Sequence, residues 1–373
     1  MKIGIEAQRI FRPDKHGMDF VILEVLRRLQ CQNDGHEYYV FVAPGENRCL
    51  SDSEHLHVVE VKCPTYPLWE QWALPRAVRR TGVDLLHCTS NTAPLYCPVS
   101  LVLTLHDIIF LQAEKPRGMS AYQQMGWYYR RWNVPRVINR CKRIITVSRT
   151  EHGHIVQRFP QLEGRLSVVH NGYSDCYRPL PSSETVQRTL KYLPEAHYLL
   201  CLGNTDPRKN VCGILRAYQS YLKHSSERLR LVITGLRREY AEELMKAHDI
   251  EVEAGQLVFP GYVPGEDLPA LYNGARVFLF PSLQEGFGIP VLEAMACGTP
   301  VITSNCSSLP EVAGTDALLV NPHDSEEIAS ALLRLEHDDT LCRQLAAYGL
   351  EHVKQFSWRH TAEAYSQIYK EVL

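Results

Sequence analysis

Short apolar runs alternate with stretches of helical periodicity along most of this chain, and that alternation narrows its fold more than any other feature. Parallel strands covered on both faces read as unbroken apolar runs, while the helices joining them repeat apolar residues three and four apart. Elements in that order build a doubly wound parallel sheet, which places the chain in the α/β class. A first series predicts strands over 2–6, 38–42, 56–61, 84–88, 101–105, 143–147 and 166–170, with helices over 17–29 and 68–80 among the connections. A second series predicts strands over 199–203, 229–235, 256–261, 277–281, 300–303 and 317–320. Between them, the proline-rich and polar stretch 173–197 breaks the pattern and reads as a linker. Helical stretches from Ser325, Thr340 and Trp358 follow the last strand, a surplus that packs over the surface or back onto the first half.

The length of 373 residues fits two such halves, each near the common domain size of about 100–200 residues. With 40 Lys plus Arg against 42 Asp plus Glu, the formal charge of −2 gives no global argument for nucleic acid. The 12 cysteines form no C-x-x-C pair, so neither a zinc knuckle nor a thioredoxin-like motif is supported, and a reduced, cytoplasmic setting is the expectation. The opening run is broken by Glu6 and Arg9, too short and too charged for a signal peptide or a spanning helix.

The stretch FLFPSLQEGFGIPVLEAMACGTPVI, 278–302 less its first edge at Val277, reads as strand, turn, helix, strand. Pro290 suits a first helical turn and Gly298 a helix end. Glu285 and Glu293 flank that turn, where a parallel sheet presents its carboxyl edge to polar ligands. Upstream, GNTDPRKN at 203–210 joins a strand to a helix. Gly203 admits close backbone approach, and Arg208 with Lys209 puts two cations at a helix start that already favours anions, so a phosphate or diphosphate is the natural guest; a plain surface turn is the alternative. His106-Asp107 follows the apolar run before it and emerges at a strand's carboxyl end, as a functional imidazole or as a structural histidine with a capping aspartate. Gly17, after Lys15 and His16, offers a second close approach to phosphate or simply a turn. Ser148 reads as a helix N-cap and Asn171-Gly172 as a tight turn, while 305–314 presents backbone N–H groups suited to phosphate.

From 117 to 143, Trp127, Tyr128, Tyr129 and Trp132 are interleaved with Arg130, Arg131, Arg136, Arg140, Lys142 and Arg143. The aromatics are core and the cations a solvated face, or the segment docks on an anionic membrane surface, or it meets a polyanionic acceptor. Neither nucleotide-binding glycine motif G-x-G-x-x-G nor G-x-x-x-x-G-K-[ST] occurs, and H-E-x-x-H, G-x-S-x-G and Asp-x-Asp are missing as well. Lacking the usual metal-diphosphate signature, the chain is expected to need no metal or other cofactor, with Arg208, Lys209 and helix ends balancing leaving-group charge.

Glu285, seven intervening residues and Glu293 within PSLQEGFGIPVLEAMACGTPVI, the preceding FPGYVPGEDLPALY, and GNTDPRKN together resemble the retaining glycosyltransferases of family 4. The resemblance covers most of the chain. It implies the GT-B fold, two Rossmann-like domains facing a central cleft that closes on reaction. Residues 1–175 would bind the acceptor and 198–355 a nucleotide-sugar donor, with a linker at 176–197 and a terminal helix, 356–373, crossing back to the first domain. Glu293 would hold the donor ribose, Glu285 would face the sugar, and Arg208 and Lys209 would grip the diphosphate. His106 would approach the donor sugar and Gly17 the phosphates; Tyr262 and Val263 would lie beside the base, and Gly203, Gly286, Phe287 and Gly288 would complete the donor site. The first loop departs from the family's paired glycines, carrying only Gly17 in HGMDF. The implied reaction moves a mannose- or glucose-type hexosyl unit, with retention and without metal, to a glycan or lipid-linked acceptor in surface-polysaccharide assembly; the expected location is the cytoplasm, with the 117–143 segment as the part that would hold the chain to the inner face of the membrane if it docks there. Two rivals remain: a nucleotide-sugar epimerase or sugar-phosphate synthase of the same fold, and a non-catalytic sugar-nucleotide-binding protein that docks on membranes.

Overall fold

A computed structural model describes residues 1–13, 15, 17–112, 121–193 and 197–373. The chain divides into two compact units: Met1–Gly172 with Trp358–Leu373, and Tyr173–Ser357. In the first unit, strands β1 (Lys2–Glu6), β2 (Glu37–Val42), β3 (Leu56–Glu60), β4 (Leu85–Cys88), β5 (Ser100–Thr104), β6 (Arg143–Thr146) and β7 (Leu166–Val168) form a 7-stranded sheet. Its order is β3-β2-β1-β4-β5-β6-β7, and every pairing is parallel. In the second, β8 (Tyr198–Leu202), β9 (Leu231–Thr234), β10 (Leu257–Gly261), β11 (Ala275–Phe280), β12 (Val301–Ser304) and β13 (Leu318–Val320) form a 6-stranded parallel sheet in the order β10-β9-β8-β11-β12-β13.

Both orders reverse once, between β1 and β4 and between β8 and β11. That reversal opens a crevice beyond the carboxyl ends of the strands, because the connections on either side leave in opposite directions. The strands deliver their apolar runs to helices on both faces, so Ile3, Ile5, Leu85 and Val102 in one unit and Leu199, Val232, Val277 and Ile302 in the other are buried. The elements predicted from sequence occur within two residues of their observed bounds. The expected linker does not stand apart, however. Helix Ser182–Thr189 lies in 176–197 and packs against helix Leu268–Gly274, so this stretch belongs to the second unit. Its polar composition hid the few residues, Thr185 and Thr189 among them, that it buries.

The terminal helix Trp358–Val372 joins the first unit by packing on helix Gly17–Gln30, and Thr361 donates to the His170 carbonyl at 2.8 Å. Its Tyr369 hydroxyl lies 2.7 Å from His87 Nδ1, while Thr104 Oγ1 lies 2.8 Å from His87 Nε2, so a fully buried imidazole ties the helix to β4 and β5. Burial, with a smaller contribution from His106, pulls the His87 pKa down to about 3. The unfolded chain therefore binds a proton that the folded chain refuses as pH falls below the ordinary histidine value, and stability is lost toward acid. We expect the unfolding free energy of the parent, read from denaturant curves, to fall between pH 6.5 and 4 by about 1.4 kcal/mol per pH unit more than that of His87→Gln, which binds no proton. Parallel curves for the two proteins would remove His87 from this role.

Candidate active site

In the second unit, the switch point between β8 and β11 gathers most of the sequence-marked residues. After β8 the chain passes Gly203, where an added Cβ would lie 2.6 Å from Leu236 Cβ and 2.7 Å from Ile233 Cγ2. Glycine is thus required there for the loop to cross closely over the end of β9. A single turn, Pro207–Lys209, follows, with Asp206 capping it through the Arg208 N–H. Asn210 then adopts a left-handed conformation and donates through Nδ2 to the carbonyls of Pro281 and Pro322, at 3.0 and 2.7 Å. These two bonds fix the cation-bearing loop to the segments that follow β11 and β13.

Lys209 extends toward the second marked segment, with Nζ 2.6 Å from Glu285 Oε1 and over the Phe280 ring. Arg208 pairs with Asp206 at 2.6 Å. Burial raises the Asp206 pKa, but the hydrogen bonds and charge of Arg208 outweigh it and hold the carboxyl below its usual range. Glu285 is held by its backbone: its N–H donates to Ser307 Oγ, and its carbonyl accepts from the hydroxyls of Ser307 and Ser308 at 2.7 and 2.9 Å. Ser308 also donates to the Phe287 carbonyl, and Gly288, with φ of 113°, turns the chain into helix Ile289–Ala296. A side chain at 288 would be strained by that angle and would meet Leu309 at 2.7 Å. Serines 307 and 308 therefore hold up the turn that carries Glu285, a use of 305–314 not anticipated in the phosphate reading.

Glu293 sits on that helix under two tyrosines. Tyr272 donates to its Oε2 at 3.1 Å, and Tyr177 bonds to it as well. Burial pushes the Glu293 carboxyl up to about 7, opposed by both tyrosines. Tyr262 is 85% exposed beyond β10, a free aromatic face, whereas its neighbour Val263 is buried.

His106 and Gly17 lie in the first unit. His106 follows β5, donates through its backbone N–H to Asn91 Oδ1 at 2.7 Å, and places Nε2 2.9 Å from the Thr89 carbonyl. A carbonyl only accepts, so Nε2 carries the proton and Nδ1 is the basic nitrogen. Burial pulls its pKa down, favouring the neutral ring. Gly17 opens helix Gly17–Gln30, and a Cβ there would meet nothing within 4 Å. Between them, at the β1/β4 switch point, Glu6 accepts from the N–H groups of Gln8 and Thr89, and Arg9 pairs with Asp19 at 3.1 Å. Burial raises the Glu6 pKa. Sequence reading passed over Glu6 and Asp19 as site residues because isolated acids carry no local signature; Glu6 as the last residue of a buried strand was the one available signal.

Two family models match the chain: Glycosyltransferase Family 4 over residues 16–175 and Glycosyl transferases group 1 over residues 184–352. Over 311 residues the chain is 34% identical to the O-antigen chain mannosyltransferase B of Escherichia coli, covering 82% of this chain and 78% of that one. The chain is a family 4 glycosyltransferase. This glycosyltransferase is also 30% identical over 270 residues to the serotype-specific mannosyltransferase WbdA of E. coli, covering 71% of its own length but 32% of WbdA. Its fold is GT-B: Anabaena HepE, solved in complex with UDP-glucose, superposes with a TM-score of 0.74 at 18% identity over 100% of both chains. Among the described residues, no three His, Cys, Asp or Glu side chains are grouped to hold a metal ion.

Each tyrosine hydroxyl on Glu293 favours the ionised form, so removing one leaves the charge less satisfied. In Tyr272→Phe the Glu293 carboxyl should titrate above its parental value of about 7, as followed by carbon NMR of labelled glutamate. An unchanged or lower midpoint would show that Tyr272 does not support that charge.

Proposed function

We propose that this glycosyltransferase moves a mannosyl unit from a nucleoside-diphosphate donor, held by the second unit, to a growing surface-polysaccharide chain received by the first. The observation that carries the reading is the convergence of Arg208, Lys209 and Glu285 at the β8/β11 switch point, with Glu293 on the helix that begins there. Two cations at a loop pinned by Asn210 suit a diphosphate, whose charge grows as the bond to the sugar breaks. The mannosyl unit is favoured by the name of the E. coli relative, and the nucleotide sugar by the UDP-glucose in HepE.

In this reading Glu293 accepts from the ribose hydroxyls and Glu285, beside Lys209, faces the sugar. The bond from the anomeric carbon to the diphosphate oxygen breaks, leaving an oxocarbenium-like ion paired with the diphosphate. An acceptor hydroxyl oxygen bonds to that carbon from the face the leaving group occupied, and its proton passes to the diphosphate. Configuration is retained, and neither glutamate is a covalent nucleophile. Arg208 and Lys209 supply the charge balance without a metal. His106, neutral and basic at Nδ1, is assigned to a hydroxyl of the transferred sugar. The exposed ring of Tyr262 offers the base a stacking surface.

Replacing Arg208 with Gln or Lys209 with Met should lower kcat by about 100-fold or more, the usual cost of removing one group that stabilises developing charge. Parental turnover in both variants would sink the assignment, whereas a product of inverted configuration by NMR would overturn retention alone. A chelator should leave the rate unchanged.

Ribose binding by the Glu293 carboxylate needs its charge, so donor affinity should fall about tenfold between pH 8 and pH 6, around a pKa of about 7. In Glu293→Gln the affinity should be weaker and flat with pH; a parental pH profile in that variant would place the titrating group elsewhere.

A further inference from the structure

We propose that the first unit carries a second saccharide site, at the amino edge of its sheet, which holds an earlier stretch of the growing polysaccharide while the end of that chain is extended elsewhere. The inference rests on the reading that the first unit receives such a chain, and it adds a place for the chain to go. The site is a cavity of about 360 Å³ between the terminal helix Trp358–Val372 and the loop that leaves helix Gly17–Gln30. The basic aromatic segment 117–143, of which residues 117–120 lie outside the described residues, shares no side chain with it.

The loop contributes Gln32, Asn33 and Asp34 on its way into β2. The terminal helix contributes Glu363, Ser366, Gln367 and Lys370, whose spacing of three and four puts them on one face. The loop is preformed. One Asp34 oxygen accepts from the Tyr38 hydroxyl and the other from the His36 N–H at 3.0 Å, while the Met1 ammonium donates to the Gly35 carbonyl at 3.3 Å. Gly35 takes the bend at a φ of 78°, and Tyr38 is itself fully buried in β2, so the wall is tied to the sheet. A wall fixed in advance loses little freedom when a guest enters.

Ser366 is the feature that points to a ligand. It lines the cavity at 4% exposure and stands near enough to Asp34 and Tyr38 to act on both, yet its Oγ has no hydrogen-bond partner. A buried hydroxyl is costly to leave unpaired, and a hydroxyl of the guest would complete it.

The walls select a neutral guest rich in hydroxyl groups. Asp34 and Glu363 set two carboxylates against Lys370, and Arg359, 3.7 Å from Glu363, brings the balance to zero, so neither an anion nor a cation is favoured. Amides, a hydroxyl, an ammonium and carboxylates stand side by side, and a sugar hydroxyl donates and accepts at once. Small-molecule pockets span about 300–1,000 Å³ and are mostly apolar. This cavity has the size, but none of its lining side chains is aliphatic or aromatic.

Its place suits a chain that has already passed the reacting end. Helix Gly17–Gln30 opens beyond the carboxyl end of β1, and its 14 residues rise about 20 Å before the loop begins. The cavity therefore lies one helix length from the edge that carries His106. Phe20, Glu24 and Arg27 follow one another along one side of that helix, and Phe20 is 53% exposed. An exposed ring near one edge and a polar cavity at the other give a long glycan two holds on the same unit.

The test is hydrogen–deuterium exchange of the full chain with mannohexaose in the absence of donor. Protection is expected over 31–36 and 363–370. Gln32→Ala with Gln367→Ala, neither of them in the core, should remove that protection and lower the affinity read by calorimetry about tenfold, as for lost hydrogen bonds. Transfer to mannobiose, too short to span the helix, should stay at the parental rate in this double variant, which shows that the fold is kept, while products grown from a long acceptor should become shorter. Exposure of either segment unchanged by mannohexaose, or an affinity that the double variant leaves alone, would overturn the proposal. So would protection by inorganic phosphate or spermidine in place of the oligosaccharide, since the cavity would then read charge. Binding is measured without donor, so failure of the mannosyl reading shows separately: the cavity would still bind mannohexaose while a nucleoside-diphosphate mannose gave no transfer.

Discussion

A parallel strand covered by helices on both faces has nowhere to keep a charged side chain except at its ends, and every chemical feature of this glycosyltransferase follows from that. Leu199–Leu202 and Val277–Phe280 are apolar along their length, so Arg208, Lys209 and Glu285 occur only after the chain has left the sheet. Loops at such an edge are ordinarily free to move. Here they are not, because the Asn210 amide bridges two carbonyls and Ser307 and Ser308 grip the backbone of the opposite turn. Rigid placement matters more than the number of charges, since a group aimed at developing charge acts only if it does not have to reorganise first.

The two units solve the same problem of burying a carboxylate with the same residue. Glu293 lies beneath Tyr272 and Tyr177, and Glu70 accepts from Tyr66 and Tyr129. In both, burial lifts the carboxyl to about 7 although tyrosines and, around Glu70, Thr92 oppose it. The difference lies in saturation. Glu70 has Thr92 and Gln71 as further partners and is wholly buried, which suits a joint between elements. Glu293 is reached by fewer partners and is only partly buried, which suits a ligand contact.

Most of the fold was legible because burial on both faces writes itself into the chain as apolar runs, and β1 through β13 all occur where such runs were read. The motif around Glu285 and Glu293 was legible for a different reason: Gly288 at a positive φ, Pro290 in the first turn and Gly298 past the helix end leave a fixed trace in sequence. What stayed hidden depends on contacts between distant segments. The bond from Tyr272 to Glu293, the hold of Ser308 on Phe287 and the joining of Glu70 to Tyr129 span 21 to 59 positions, and nothing local announces them. Helix Ser182–Thr189 was missed because its surface is polar and the residues it buries are threonines.

The π-helical turn Trp69–Ala73 holds one residue more than an α-helix would place in the same height. From it Glu70 points inward to Tyr66 and Tyr129 while Trp72, two positions on, points to solvent. Were one residue deleted from this turn, everything preceding it would rotate by about 100° around the helix axis. The joint around Glu70 and the outward row of Leu68 and Trp72 would then no longer be available from one backbone. A single surplus residue thus sets the rotational register between Tyr66–Leu68 before the turn and Leu74–Thr81 after it, and the chain cannot shed it without turning one against the other.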